Sequence, residues 1–185
     1  MPAGVRILDA ARLGAAERER LGPRIGARFG VPVCCAADPF DVEAAYDGAR
    51  RQYNAGVLMA AAAERAAAGG ERCLAVVAVD LFVPVLTFVF GQAALGGDAG
   101  VVSLHRLANE FYGLPRDDAL LRRRLEKEIV HELGHMFGLY HCRQFECVMR
   151  SSTYVEEIDL KREDFCPACE ARVREPRAAG AGGGA

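Results

Sequence analysis

No apolar stretch in this 185-residue chain is long enough to cross a bilayer. The two longest, VLMAAAA from Val57 and the run from Leu74 to Phe90, read as core, and the second is broken by Asp80, Pro84 and Thr87. An excess of charge of one sign is also missing. The formal net charge is -2, so no broad field draws the protein to nucleic acid or anionic lipid. The amino-terminal run MPAGVRILDAARLGAAERER meets charge before it can supply the apolar stretch of a secretory signal. The expectation is a cytoplasmic protein with no nucleic-acid partner and no membrane partner. Seven cysteines in such a chain argue against a disulfide framework and for thiolate metal ligation.

With 51% hydrophobic residues, the chain suits one domain with a real core. That domain is expected over residues 1–175, followed by an Ala- and Gly-rich tail, 176–185, without the composition to order itself. Val5 to Leu8 and VPVCC from Val31 read as strands, and Ala10 to about Gly22 as a helix. A long helix is expected from Asp47 to Ala68, stopped by Gly69 and Gly70. Leu74 to Val79 and Leu86 to Phe90 read as strands with a turn or edge at Pro84, and VVSL from Val101 as another. From a cap at Asp117 or Asp118, a further helix runs toward Gly138, with Leu121, Leu125, Ile129 and Leu133 as its buried stripe. Arg122, Arg123 and Arg124 read as its solvated face. A short last helix is expected around Asp164 to Val173.

The sharpest signal is HELGHMFGLYH, His131 to His141. Four residues of helix put His131 and His135 on one face, within reach of one zinc ion. Gly138 follows where the helix must end abruptly for a third ligand to swing back, and glycine enters the left-handed region without penalty. His141 then completes a three-histidine site whose fourth tetrahedral position is open, as a catalytic zinc requires. Glu132, beside the first ligand, is placed to be the general base toward water at that position. The HExxH core alone recurs by chance, and the in-register Gly138 and His141 make the pattern specific. His105 reads as a bystander, since the other three histidines already make a complete site.

A second cluster lies nearby. Cys166 and Cys169 form a C-x-x-C pair, and Cys142 and Cys147 offer another. Four thiolates close a tetrahedral shell, so these read as a structural zinc site that fixes the loop-rich carboxyl end. Cys34, Cys35 and Cys73 read as buried apolar residues.

Taken together, HELGHMFGLYH, the adjoining Cys142, Cys147 with Val148 and Met149, and FCPAC at Phe165 to Cys169 resemble the archaemetzincins. RQYNAGVL at Arg51, DLFVPVLTFVFGQA at Asp80 and VVSLHRL at Val101 extend the likeness to about Val5 to Val173. Sixteen residues separate Met149 from Cys166, about one fewer than the family's pattern, which a shortened surface turn would absorb. The resemblance implies a compact α/β metzincin fold, with a twisted, mostly parallel sheet and three main helices. It also implies two Zn2+ ions per chain, and it places Met149 in a Met-turn beneath the catalytic histidines. TFVFGQA from Thr87 would be the edge strand along the cleft, where an extended substrate adds by main-chain pairing.

These readings converge on a zinc metallopeptidase acting on a peptide or protein substrate, with short peptides or free amino termini implied by the family. The alternative is a zinc-stabilised binding module on the same fold with little hydrolytic activity. Tyr154, close after Met149, is a candidate oxyanion partner. No specificity pocket and no oligomeric state can be read from the residues.

Overall fold

The computed structural model describes residues 4–175; the tail expected to lack order, 176–185, lies outside them. In chain order the elements are β1 (Val5–Asp9), α1 (Ala15–Phe29), β2 (Val33–Ala37), β3 (Tyr46–Asp47), β4 (Gln52–Asn54), α2 (Ala55–Gly69), β5 (Arg72–Val77), β6 (Leu81–Phe82), β7 (Gly91–Ala93) and β8 (Ala99–Ser103). Three helices follow, α3 (Asp118–Met136), α4 (Val155–Leu160) and α5 (Pro167–Arg174). The main sheet has five strands in the order β2-β1-β5-β8-β7, all parallel except β7, which runs antiparallel to β8 at one edge. β3, β4 and β6 form a small second sheet.

Alternation along the strands sorts the core into two layers. Val5, Ile7, Leu74, Val76 and Val102 face α1 and α3, whereas Leu8, Cys73, Ala75, Val77 and Val101 face α2. β5 and β8 are buried along their whole length, as strands with both faces covered must be. The expected mixed α/β domain with a mostly parallel sheet and three main helices is the fold observed.

Several boundaries differ from expectation. The first helix does not stop at Gly22. It runs through Pro23 to Phe29, because Leu21, Ile25 and Phe29 continue one buried stripe whose packing offsets the missing backbone donor, and Gly30 ends it at φ +66°. The second helix begins only at Ala55. Asp47 accepts the N–H groups of Ala49 and Arg50 in a turn, and Asn54 then caps the helix by accepting Gly56 N–H at 2.9 Å. Leu86 to Phe90 forms no strand apart from one bridge between Val89 and Leu81, and regular pairing starts at Gly91. Cys34 is exposed and Cys35 half-buried, so only Cys73 matches the buried reading. β2 is an edge strand, and alternation turns Cys35 toward the core while Cys34 faces out. Burial pushes the Cys35 thiol up to about 12.

α3 carries the largest correction. Asp117 caps it, accepting Leu120 N–H at 2.9 Å, and Leu125, Ile129 and Leu133 are buried as expected. Arg124, however, is buried rather than solvated. It grips Asp159 with Nε at 2.8 Å and Nη2 at 2.6 Å, and donates to Leu107 O and Asn109 Oδ1. Two residues on, buried Glu126 meets three arginines of α1: Arg20 at 3.1 Å, Arg24 at 2.9 Å and Arg28 at 3.0 Å. Burial alone would raise its pKa, but hydrogen bonds from Arg24 and Arg20 and the charge of Arg28 override this and hold the carboxyl below its ordinary value.

This network generates a stability prediction. Glu126→Ala should lower the unfolding free energy by about 2–3 kcal/mol, less than a fully buried pair because Arg20 and Arg24 reach solvent. Cutting the exposed Arg162–Glu146 pair, 71% and 58% exposed, should cost less than about 1 kcal/mol. Because the folded-state pKa of Glu126 is depressed, its stabilisation is present above the unfolded carboxylate value and is lost as pH falls through the folded one. Urea unfolding of wild type and variant at pH 7 and at progressively lower pH checks both points: the gap between the two should close on acidification.

Candidate metal centre and active site

The carboxyl-terminal turns of α3 bring the histidines together. His131 and His135 stack edge to face with ring centroids 4.8 Å apart, and their Nε2 atoms are 3.2 Å apart. Gly138 takes φ +81° just past the helix, as its position in the motif predicts. The chain then reverses, and the His141 ring lies 5.3 Å from that of His131 and 4.9 Å from that of His135. The ligand atoms of the three residues all lie within 4.8 Å of one another.

Backbone carbonyls orient the first two rings. His131 Nδ1 is 2.8 Å from Val148 O, and His135 Nδ1 is 2.8 Å from Leu139 O. A carbonyl can only accept, so each Nδ1 carries the proton and each Nε2 is left as a free lone pair. Burial holds His131 well below its ordinary pKa and lowers those of His135 and His141, so the rings are neutral donors. Zn–N bonds of about 2.0–2.1 Å in a tetrahedron imply a nitrogen–nitrogen edge of roughly 3.3 Å. The observed 3.2 Å fits this ion.

The thiols pass a similar test. Cys142, Cys147, Cys166 and Cys169 form one group, with Cys142 Sγ 3.8 Å from Cys166 Sγ. That is too long for a disulfide and matches the roughly 3.8 Å edge of a tetrahedron of about 2.3 Å Zn–S bonds. Burial opposes ionisation of Cys166, but hydrogen bonds from Cys169 and the neighbouring thiols bring it down to about 7, while burial pushes Cys169 up.

Glu132 is 5% exposed and lies against the edge strand. A Cβ added at Gly91 would sit 2.8 Å from Glu132 Cγ and Oε1 and 2.8 Å from Val101 O, so only glycine lets β7 pass this close. Burial and the charge of Glu128 push the Glu132 carboxyl well above its ordinary range, and Lys161 opposes them. Met149 is fully buried beneath the helix, where a methyl group on Gly134 would overlap its Sδ. A cleft of about 460 Å³ opens above the histidines between Leu86–Ala93 on one side and Ser151–Thr153 on the other. TFVFGQA thus borders the cleft and supplies the edge strand β7.

Two residues weighed in the sequence stand elsewhere. His105 is apart from the trio, its ring 5.1 Å from Phe111. Tyr154 is 65% exposed and does not line the cleft. Gln92, inside the TFVFGQA segment expected at the cleft edge, lines it, and so do residues that the sequence reading missed, among them Glu128, Ser152 and Lys161. Glu128 had a signal, since it precedes Glu132 by four residues on the same helix face. Lys161, from the turn after α4, had none.

A helix that offers two histidines and a glutamate to one cleft, with a strand edge along its rim, points to the class of zinc-dependent metallopeptidases. Comparison with known proteins narrows the class. A family model described as Peptidase family M54 matches residues 62–175. The archaemetzincin of Thermococcus kodakarensis is 42% identical over 130 residues, 70% of each chain. That of Methanocaldococcus jannaschii is 37% identical over 131 residues, 71% of each. Among solved structures, a zinc-dependent peptidase from Methanocorpusculum labreanum superposes with a TM-score of 0.82 at 30% identity, covering 92% of this chain and 100% of its own. The archaemetzincin of Archaeoglobus fulgidus, complexed with malonate, gives 0.75 at 31% identity over 91% and 99%. The chain belongs to peptidase family M54, the archaemetzincins.

The contact at Gly91 yields a test. Gly91→Ala forces a methyl group against Glu132, so it should destabilise the fold by about 1–3 kcal/mol. Peptide hydrolysis should fall by on the order of 10²-fold, the scale of an ångström's misplacement within an active site. Denaturant unfolding and initial rates on one peptide, measured together, separate the two effects.

Proposed function

We propose that this chain hydrolyses peptide bonds at a catalytic zinc held by His131, His135 and His141, with Glu132 as general base, and carries a structural zinc on Cys142, Cys147, Cys166 and Cys169. The observation that carries the reading is the convergence of neutral Nε2 lone pairs beside the buried carboxyl group of Glu132, at a separation that suits zinc. Bound there, zinc would supply Lewis acidity that polarises a peptide carbonyl and acidifies water.

The chain's own residues do the rest. β7 offers main-chain partners to an extended peptide, so the scissile bond lies across the histidine face of α3. Glu132 takes the proton of the attacking water and returns it to the departing amine. Val148 O and Leu139 O hold the first two rings in the tautomer that presents Nε2. Met149 is the apolar floor that fixes the helix beneath them. Short peptides, taken in an aminopeptidase-like manner, are the substrates we assign, following the family resemblance.

Two measurements test this. Metal analysis of the purified protein should give two zinc ions per chain, and Cys166→Ser should remove one of them while exposing the remaining thiols to labelling. Glu132→Ala should abolish peptide hydrolysis with both ions retained. Wild type and Glu132→Ala equally inert across a broad peptide library would instead support a zinc-stabilised binding module.

A further inference from the structure

Four buried side-chain atoms that make no hydrogen bond among the described residues border the cleft: Gln92 Oε1, Glu128 Oε1, Ser152 Oγ and Lys161 Nζ. Glu128 and Lys161 are each 4% exposed. Lys161 Nζ stands 3.8 Å from Glu128 Oε1, close enough for charge attraction and too far for a hydrogen bond. The large majority of buried polar side-chain atoms have hydrogen-bond partners, so a stretched ion pair and two atoms without a partner, all lining one cleft, point to a ligand group.

Their position says which part of a ligand. Glu128 precedes Glu132 by four residues on α3, one helical turn or about 6 Å along the axis on the same face. Gln92 follows Gly91 on β7, Ser152 comes from the segment after Met149, and Lys161 from the turn after α4. Four separate elements therefore contribute polar groups to the lining of one cleft, in which Glu128 marks a spot one helical turn from Glu132. A peptide extended along β7 turns alternate side chains toward the α3 floor, so a side chain flanking the scissile bond enters this spot.

The donor and acceptor pattern selects among side chains. Gln92 Oε1 and Glu128 Oε1 accept, Lys161 Nζ donates, and Ser152 Oγ does either. An apolar side chain leaves all four unpaired. Lysine or arginine meets Lys161 with like charge, and a carboxylate meets Glu128 with like charge and brings no donor. A carboxamide carries an acceptor for Lys161 and two donors for Glu128 and Gln92. It is also neutral, so it suits the pair whichever partner holds the proton.

We propose that this end of the cleft is a specificity subsite for a carboxamide side chain, glutamine or asparagine, at a position flanking the scissile bond. The assignment rests on the hydrolase reading above and is tested separately from it.

The experiment uses the zinc-loaded full chain and a peptide series that varies one flanking position among Gln, Glu, Lys, Leu and Ala. Cleavage is followed by mass spectrometry, and binding of the same peptides to zinc-loaded Glu132→Ala by fluorescence anisotropy. The expected result is kcat/KM at least ~10-fold higher for Gln than for Leu, Glu or Lys. The double variant Glu128→Leu/Lys161→Met should reverse the order in favour of Leu. Should that variant fail to fold, Ser152→Ala and Gln92→Leu, singly, should each narrow the Gln-over-Leu ratio. Efficient cleavage with equal kcat/KM across the series overturns the subsite and leaves the hydrolase standing. Tighter binding of the Gln peptide without cleavage by wild type supports the subsite and overturns the hydrolase. Neither cleavage nor preferential binding overturns both.

Discussion

A helix enclosed on nearly every side sets the terms for the rest of the structure. From Arg124 to Gly134 every residue of α3 is buried, although the segment holds six charged or imidazole side chains among its apolar ones. An ordinary surface helix leaves its polar face to water. Here each polar group must find a partner in the protein or remain as an energetic liability. Arg124 finds Asp159, Glu126 finds three arginines of α1, and Lys127 donates to the carbonyls of Ile158 and Asp159. These partners come from α1 and from the region around α4, so satisfying α3 also fixes where those elements sit.

The same requirement separates structural polar groups from functional ones. Going along α3 toward its carboxyl end, the pairing is complete at Arg124, Glu126 and Lys127 and incomplete at Glu128, whose ion-pair partner Lys161 is 3.8 Å away. Beyond it stand His131, Glu132 and His135, whose free lone pairs face the cleft. A fold that satisfies one half of a buried helix so fully and leaves the other half open reserves that half for something that binds. The gradient runs along a single helix, and its open end is where the proposed zinc ligands His131 and His135 stand.

Much of this was legible in the residues, and what was not has a physical cause. The histidine trio and each cysteine pair depend on spacing within a turn or a short loop, which local rules read directly. The mostly parallel sheet with three main helices came from the family resemblance those motifs carry, and the fold bears it out. Helix boundaries were less legible: Pro23 and Asn54 act with tertiary packing and side-chain capping, and propensity alone extended one helix and cut the other. The solvated reading of Arg124 failed because its partner, Asp159, lies 35 residues on. Lys161 was illegible for a similar reason. Its meaning comes from Glu128, 33 residues earlier in the chain and 3.8 Å away, and nothing near it in sequence marks it.

The two candidate metal-ligand groups lie next to each other in the chain, and this adjacency has mechanical content. His141 and Cys142 are consecutive, and Cys147 immediately precedes Val148 and Met149. Cys142 N–H donates to Met149 O at 2.9 Å, closing the loop between them. Val148 O is the acceptor that sets the His131 tautomer, and Met149 packs against Gly134 under the same helix. A displacement of the thiol group would therefore pass through one closed loop to the orienting carbonyl, to the floor and to His141 at once. The loop is irregular and borders solvent, so without a clamp its backbone would sample many arrangements at an entropic cost for every ordered residue. Four thiols drawn from both sides of that loop and from the start of α5 supply the clamp. The cysteine group is thus better understood as part of the histidine site's geometry than as a separate stabilising feature of the carboxyl end.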